Sequence, residues 1–301
     1  MKNLLGISFS LVLGIAAGPV WAAVNVFACE PEWGALAQEL GGDKVSAFSA
    51  TTAKQDPHRV EARPSLIARI RSADLVICSG SELEVGWLPL LLTQSGNDRI
   101  QPGSPGFIEA SQLVVKLEIP KVVDRSLGDI HPAGNPHVHL DPRNIAKVAS
   151  VVSARLSEID HANEAFYKER ADSFGKRWQE AIPKWQQRAQ PLKGVPVVVY
   201  HKDMSYFINW AGMREAGSLE PKPGIPPTPT HLAELVEQMK RNPAKVVVYS
   251  PYNDPRAAEF LGQRANIPNV MLPFTVGGTE KAKDLFGLFD DTIERLLATV
   301  K

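Results

Sequence analysis

Seven histidines and two cysteines are the residues of this 301-residue chain best suited to metal chemistry. Neutral imidazole is a common ligand for zinc and related divalent ions. His58 stands in Gln55-Asp56-Pro57-His58, a turn that follows a strand-like run. His131, His137 and His139 share one segment between Gly128 and Pro142, and His201 ends the run Val197-Val198-Val199-Tyr200. His161 and His231 begin helical segments and are expected at the solvent. Ligands of parallel α/β domains gather at the carboxyl ends of strands. His58 and His201 occupy such ends in different halves of the chain, and His137 precedes a long helical stretch. Three imidazoles from distant segments are thereby placed to converge in a cleft. Spacing alone does not specify a metal site, because no short motif such as His-Glu-x-x-His is present.

Cys29 and Cys78 each end a strand-like run, Val24–Cys29 and Asp74–Cys78. Two cysteines cannot build a disulfide scaffold or a four-cysteine zinc site. They can bond to each other if the two strands are neighbours, and otherwise form two buried thiols.

The elements that must carry these residues alternate. Val24–Cys29, Val45–Ser49 and Asp74–Cys78 read as strands, with a fourth expected at Leu113–Leu117. Trp33–Leu40 and Ser65–Arg71 read as the helices between them. Short apolar strands separated by helices imply parallel sheets covered on both faces. The theme returns with strands at Val195–Tyr200, Lys245–Tyr249 and Asn269–Leu272 and helices at His231–Arg241 and Thr279–Val300, the last with Thr279 as its cap. Leu285, Leu288, Phe289, Ile293, Leu296 and Leu297 recur at helical spacing and are expected in the core. Between the halves, Asp141-Pro142 starts a helix that runs to Ile159. A second helix is expected over Ala162–Ala189, kinked at Pro183. The fold class is therefore α/β, with two Rossmann-like lobes joined by a long rigid helix. The expected division is residues 23–160, 161–191 and 192–301, preceded by an address segment over 1–22. Gln101–Gly106 and the proline-rich Glu220–Pro229 read as loops.

The address segment has Lys2, an apolar core from Leu4 to Ala17, and a small-residue exit at Ala22. This is the pattern of a cleaved secretory signal peptide. Its core of about 14 residues is shorter than the roughly 20 needed to span a bilayer. No cysteine follows it directly, so a free periplasmic protein is expected rather than a lipoprotein. Lys+Arg and Asp+Glu are both 33, which removes the basic footprint of a nucleic-acid partner.

Three ordered motifs carry a resemblance to the zinc/manganese substrate-binding proteins of ABC transporters. The first is Gln55-Asp56-Pro57-His58 with Glu61 and Pro64-Ser65. The second is Asn135-Pro136-His137-Val138-His139-Leu140-Asp141-Pro142-Arg143-Asn144. The third is Pro196-Val197-Val198-Val199-Tyr200-His201 with Tyr206-Phe207. The resemblance spans the chain beyond the address segment. It implies a metal held between the lobes by His58, His137 and His201, and a monomeric carrier that passes it to a membrane permease and its ATPase.

Within that family a third His goes with zinc and a Glu with manganese, in line with the preference of Mn²⁺ for carboxylates. Zinc is the expected cargo. His139 replaces the usual aromatic residue and, two positions from His137 in an extended segment, would share its side; it is expected beside the ligands rather than among them. The family acid after the second strand of the C-terminal lobe is Ser250 here, and the Asp often found after the last strand is missing. The fourth ligand position is left to water, Asp284, His139 or His131, with water favoured. Asp203 and Asp141 can each orient a ligand imidazole or serve as caps and turns, and a cap before Pro142 is the better reading of Asp141. A manganese or other divalent carrier is the near alternative. A zinc hydrolase with Glu61 or Glu30 as general base is the distant one, as three His and a water also form a catalytic geometry.

Overall fold

The computed structural model describes residues 23–124 and 128–300; the address segment lies outside them. Two four-stranded parallel sheets organise the chain. The first comprises β1 (Val24–Ala28), β2 (Val45–Ser49), β3 (Leu75–Cys78) and β4 (Phe107–Glu109), in the order β2-β1-β3-β4. Helices α1 (Pro31–Gly41), α2 (Pro64–Arg71) and α3 (Leu88–Ser95) cross between them. After α4 (Pro142–Ile159) and α5 (Glu164–Ala189) comes the second sheet, with strands β5 (Pro196–Val199), β6 (Arg214–Ser218), β7 (Val246–Tyr249) and β8 (Asn269–Met271). It repeats the pattern in the order β6-β5-β7-β8. Helices α6 (Ser205–Trp210), α7 (Pro229–Arg241), α8 (Arg256–Ala265) and α9 (Leu285–Thr299) accompany it. The same strand order arises in both lobes without a repeated sequence.

The fourth strand is not at Leu113–Leu117. It begins directly after the Pro/Gly-rich loop that ends at Gly106, with Val76 paired to Phe107 and Ile77 to Ile108. The expected segment instead leaves the sheet and reaches the other lobe, where Leu117 N–H donates to the Tyr206 hydroxyl at 3.1 Å. The final helix starts at Leu285 rather than Thr279. Asp284 is its cap, accepting from Gly287 N–H at 2.7 Å, while Thr279 donates to Asp291.

Helix α5 has 26 residues, about 39 Å at 1.5 Å per residue. It continues through Pro183 and is fastened to both lobes. Arg170 donates to the Glu39 carbonyl at the end of α1, and Trp178 Nε1 donates to Pro142 O at 2.8 Å. At its other end, Trp185 Nε1 donates to Asp290 of α9 at 3.0 Å. Phe174 stacks on Trp178, and Phe286 and Phe289 of α9 pack edge-on against that ring. One apolar core runs from Val24 and Val26 through these aromatics to Val246 and Leu296. The lobes are therefore not beads on a flexible string. No helix among the described residues is long and apolar enough to cross a membrane.

Cys29 and Cys78 end adjacent strands and form a disulfide, with Cα atoms 4.8 Å apart. This resolves the choice the sequence left open. Beside it lies a buried acidic pair. Ser79 N–H faces both Glu84 Oε1 at 2.8 Å and Glu30 Oε2 at 3.3 Å. Burial pushes the Glu84 carboxyl up to about 7. Burial, then the Glu84 and Glu32 carboxylates, push Glu30 well above the carboxylate range. Both folded values exceed their unfolded ones, so this pair stabilises the fold fully in acid. That contribution declines as pH rises from about 4.5 through the folded values.

The disulfide and the acidic pair each bear on stability. The bond closes a loop of 49 residues, and chain entropy assigns such a loop about 4 kcal/mol. The Cys29→Ala/Cys78→Ala variant should lose stability of that order in urea denaturation. In Glu30→Gln, an uncharged mimic of the protonated acid, melting temperature should change less unfavourably between pH 5 and pH 8 than in the parent chain; parallel profiles would contradict the assignment.

Candidate metal centre

The loop after β2 carries His58, the turn before α4 carries His137, and His201 follows β5. His58 and His201 follow the carboxyl ends of β2 and β5, and His137 precedes the N-terminus of α4. One ring nitrogen from each can be chosen so that all three lie within 4.8 Å of one another. Ring centroids are 5.3 Å apart for His58 and His201, 5.5 Å for His58 and His137, and 5.7 Å for His137 and His201. The sequence-predicted residues are thus brought together, two from the N-terminal lobe and one from the C-terminal lobe.

Each ring is aimed by its surroundings. His58 Nδ1 lies 2.8 Å from Asp56 Oδ1, and the same oxygen accepts the His58 backbone N–H. His201 Nδ1 lies 2.7 Å from Glu220 Oε2, just past β6. A carboxylate on Nδ1 fixes the tautomer and leaves the Nε2 lone pair for a metal. Neither ring nitrogen of buried His137 has a protein partner. Its backbone is fixed instead: Asn135 Oδ1 accepts its N–H at 3.0 Å, and Asn135 Nδ2 reaches the Lys202 carbonyl in the other lobe.

The electrostatics match this arrangement. Burial, reinforced by the charges of His58 and His201, holds His137 well below the usual imidazole value. Burial pulls His201 down, but the Glu220, Asp203 and Asp56 carboxylates together hold that ring above the usual value. The Asp56 carboxyl would rise on burial, yet its bond to His58 keeps it low.

The other histidines divide clearly. His161 is 86% exposed. His231 is half-buried rather than solvent-facing, because its Nε2 contacts the Ser218 carbonyl at 2.9 Å. His139 does not share the side of His137, because Val138–Leu140 forms a helical turn instead of extended chain. Its Nε2 contacts Phe274 O at 2.9 Å, and its Nδ1 lies 3.0 Å from Glu32 Oε1, off the hydrogen-bonding line. Both nitrogens are committed away from the cluster. Asp284 is spent as the cap of α9, and Asp141 caps α4 by accepting Arg143 N–H at 2.9 Å. Asp203 is buried, not solvated, and accepts from Ser250 and Tyr252 hydroxyls. His131 lies against the cluster, its Nε2 3.2 Å from His58 Nε2.

The sequence did not single out Asp56 or Glu220 as partners of the rings. Asp56 stood in plain view two residues before His58. Glu220 was hidden because β6, Arg-Glu-Ala-Gly-Ser, has no apolar alternation. Recognising that strand would have put Glu220 at its carboxyl end.

The arrangement suits an ion. Cavities of about 160 Å³ and 220 Å³ flank the rings, below the roughly 300–1,000 Å³ typical of small-molecule sites. Of the two acids the sequence offered as general bases, Glu30 is buried against Ser79, and Glu61 is exposed and lines neither cavity. Cys29, Cys78 and Glu84 also cluster, but both sulfurs are spent in the disulfide and offer no thiolate.

Comparison with known proteins is consistent with this geometry. The family model for the periplasmic zinc-uptake complex component A, ZnuA, matches residues 26–299. The manganese ABC transporter substrate-binding lipoprotein PsaA of Streptococcus mitis is 24% identical over 256 residues, 83% of this chain and 79% of that one. The high-affinity zinc uptake system protein ZnuA of Brucella abortus (strain 2308) is 28% identical over 120 residues, 40% of this chain and 36% of that one. Among solved structures, a crystal structure of ZnuA shares the fold with a TM-score of 0.76 at 20% identity, covering 93% of this chain and 100% of that one. The Mn-bound periplasmic metal binding protein of Candidatus Liberibacter asiaticus gives 0.73 at 17%, covering 92% and 100%.

Removing a carboxylate that aims a metal-binding His ordinarily costs 10–100-fold in affinity. Glu220→Gln should weaken divalent-metal binding by about that factor in a competition titration, without loss of fold.

Proposed function

The chain belongs to the zinc-uptake complex component A family, the substrate-binding proteins of metal ABC transporters, and from that premise we propose that it is a periplasmic zinc carrier. It takes Zn²⁺ as cargo between its lobes and delivers it, as a monomer, to a membrane permease driven by an ATPase. His58, His137 and His201 are the proposed ligands. The observation that carries this reading is their convergence from both lobes, with nitrogens within 4.8 Å of one another and two rings aimed by carboxylates.

The choice of zinc rests on the donor set. Imidazole suits Zn²⁺, whereas Mn²⁺ favours carboxylate and water oxygens. The acids beside the rings engage Nδ1 atoms, so they serve imidazoles before they can serve a metal. Manganese is retained as the second reading because relatives named for manganese match most of the chain. Export rests on the N-terminal pattern over residues 1–22. A carrier needs no chemistry on its cargo, and release requires only that the lobes supplying different ligands part.

His58→Ala, His137→Ala and His201→Ala should each lower zinc affinity beyond the roughly 100-fold ceiling of an outer partner, with the secondary structure intact by circular dichroism. His161→Ala should match the parent chain. Equal titration curves for the three ligand variants and the parent would refute the ligand set, and preferential manganese binding would refute the cargo.

A further inference from the structure

We propose that His131 is the fourth ligand of the centre, so that the cargo ion is held by four imidazoles. This rests on the zinc-carrier reading and deepens it by naming the complete donor set.

His131 Nε2 is 3.2 Å from His58 Nε2. Two nitrogens bound to one tetrahedral zinc at 2.0–2.1 Å stand about 3.3 Å apart, so the separation from His58 has the length of one edge of that tetrahedron. His131 stands outside the set of three rings whose nitrogens lie within 4.8 Å of one another and closes on His137 and His201 when the ion binds. The outer nitrogens of both rings are already engaged. His58 Nδ1 faces the Asp56 carboxylate, and His131 Nδ1 donates to the Ser81 carbonyl at 2.9 Å. A carbonyl only accepts, so Nδ1 of His131 carries the proton and its Nε2 presents a lone pair. Two imidazole nitrogens facing each other at that distance repel unless a proton or a metal lies between them.

The position of His131 is built by its surroundings. On one side the Ser81 carbonyl is set by an unusual turn. Gly80, Ser81 and Glu82 all have positive φ, of 76°, 52° and 66°. For Ser81 and Glu82, which carry a Cβ, this conformation is strained. Buried Glu84 holds the turn by accepting from Ser79 and Gly80 N–H. On the other side the His131 loop is tied to the C-terminal lobe, with Asp129 N–H donating to Pro223 O at 2.7 Å. Gly224, at φ 73°, packs there because a Cβ would lie 2.0 Å from Asp129 Oδ2. The loop thus brings His131 over the cleft while touching both lobes.

Four neutral imidazoles leave no carboxylate in direct contact with the ion. That set disfavours Mn²⁺ more strongly than three imidazoles with a water or an acid.

The test is zinc-edge X-ray absorption on the zinc-loaded full chain, with competition titration, for the parent, His131→Ala and His131→Gln. The parent should show four imidazoles per zinc, and both variants three, with affinity reduced at least 10-fold. Three imidazoles in parent and variants alike would overturn the proposal, whether affinity is unchanged or falls through loss of a loop contact. Either of those results leaves the three-histidine carrier standing. A parent chain that binds no zinc would overturn the carrier reading and the proposal together.

Discussion

The centre depends on the anchoring of imidazole rings by their outer nitrogens. Free imidazoles brought together in a buried cleft repel one another and gain nothing from losing water. Asp56 and Glu220 convert that cost into a geometry, because each holds an Nδ1 and turns the opposite lone pair inward. His137 needs no such partner: Asn135 fixes its backbone, and Phe274 packs edge-on against its ring at 5.3 Å. Rings held before the ion arrives need little ordering when it binds, which is the general route to high affinity with few contacts.

A second polar network lies beside the cluster. His139 and Glu32 are both buried and face each other at 3.0 Å. Burial opposes a charge on His139, but the Glu32 carboxylate, with the Phe274 carbonyl and Asp203, holds the ring above its ordinary value. Glu32 also accepts from Thr275 across the interface, and His139 reaches the Phe274 carbonyl. A buried ion pair is weak evidence for net stability, because desolvation consumes much of the attraction. Its directional partners are better suited to setting how the lobes meet. Phe274 links the two systems, with its ring against His137 and His139. Lobe registry and ring placement therefore share one side chain, while α5 is fastened to both lobes.

Much of this was legible from residue types. Asp141-Pro142 gave the start of α4 because a capping acid and a helix-compatible proline state a boundary together. The strands of β-branched residues gave both sheets, and the carboxyl-end rule gave the region where the three rings meet. What the residues did not disclose came from tertiary context. The edge strand β6 has no apolar pattern, so Glu220 was missed. The short β4 is placed by a turn rather than by composition, and the apolar Leu113–Leu117 crosses to the other lobe instead. His139 looked like a neighbour of His137 only under extended geometry. Whether Cys29 and Cys78 bond depended on β1 and β3 being adjacent, which strand order decides and sequence does not.

The most direct test is the position of the ion itself. Crystals of the zinc-loaded protein, measured on both sides of the zinc absorption edge, should give one anomalous peak between the lobes, about 2.0–2.1 Å from nitrogens of His58, His137 and His201. A peak bound through residues of one lobe alone, or at the surface away from these rings, would contradict the account.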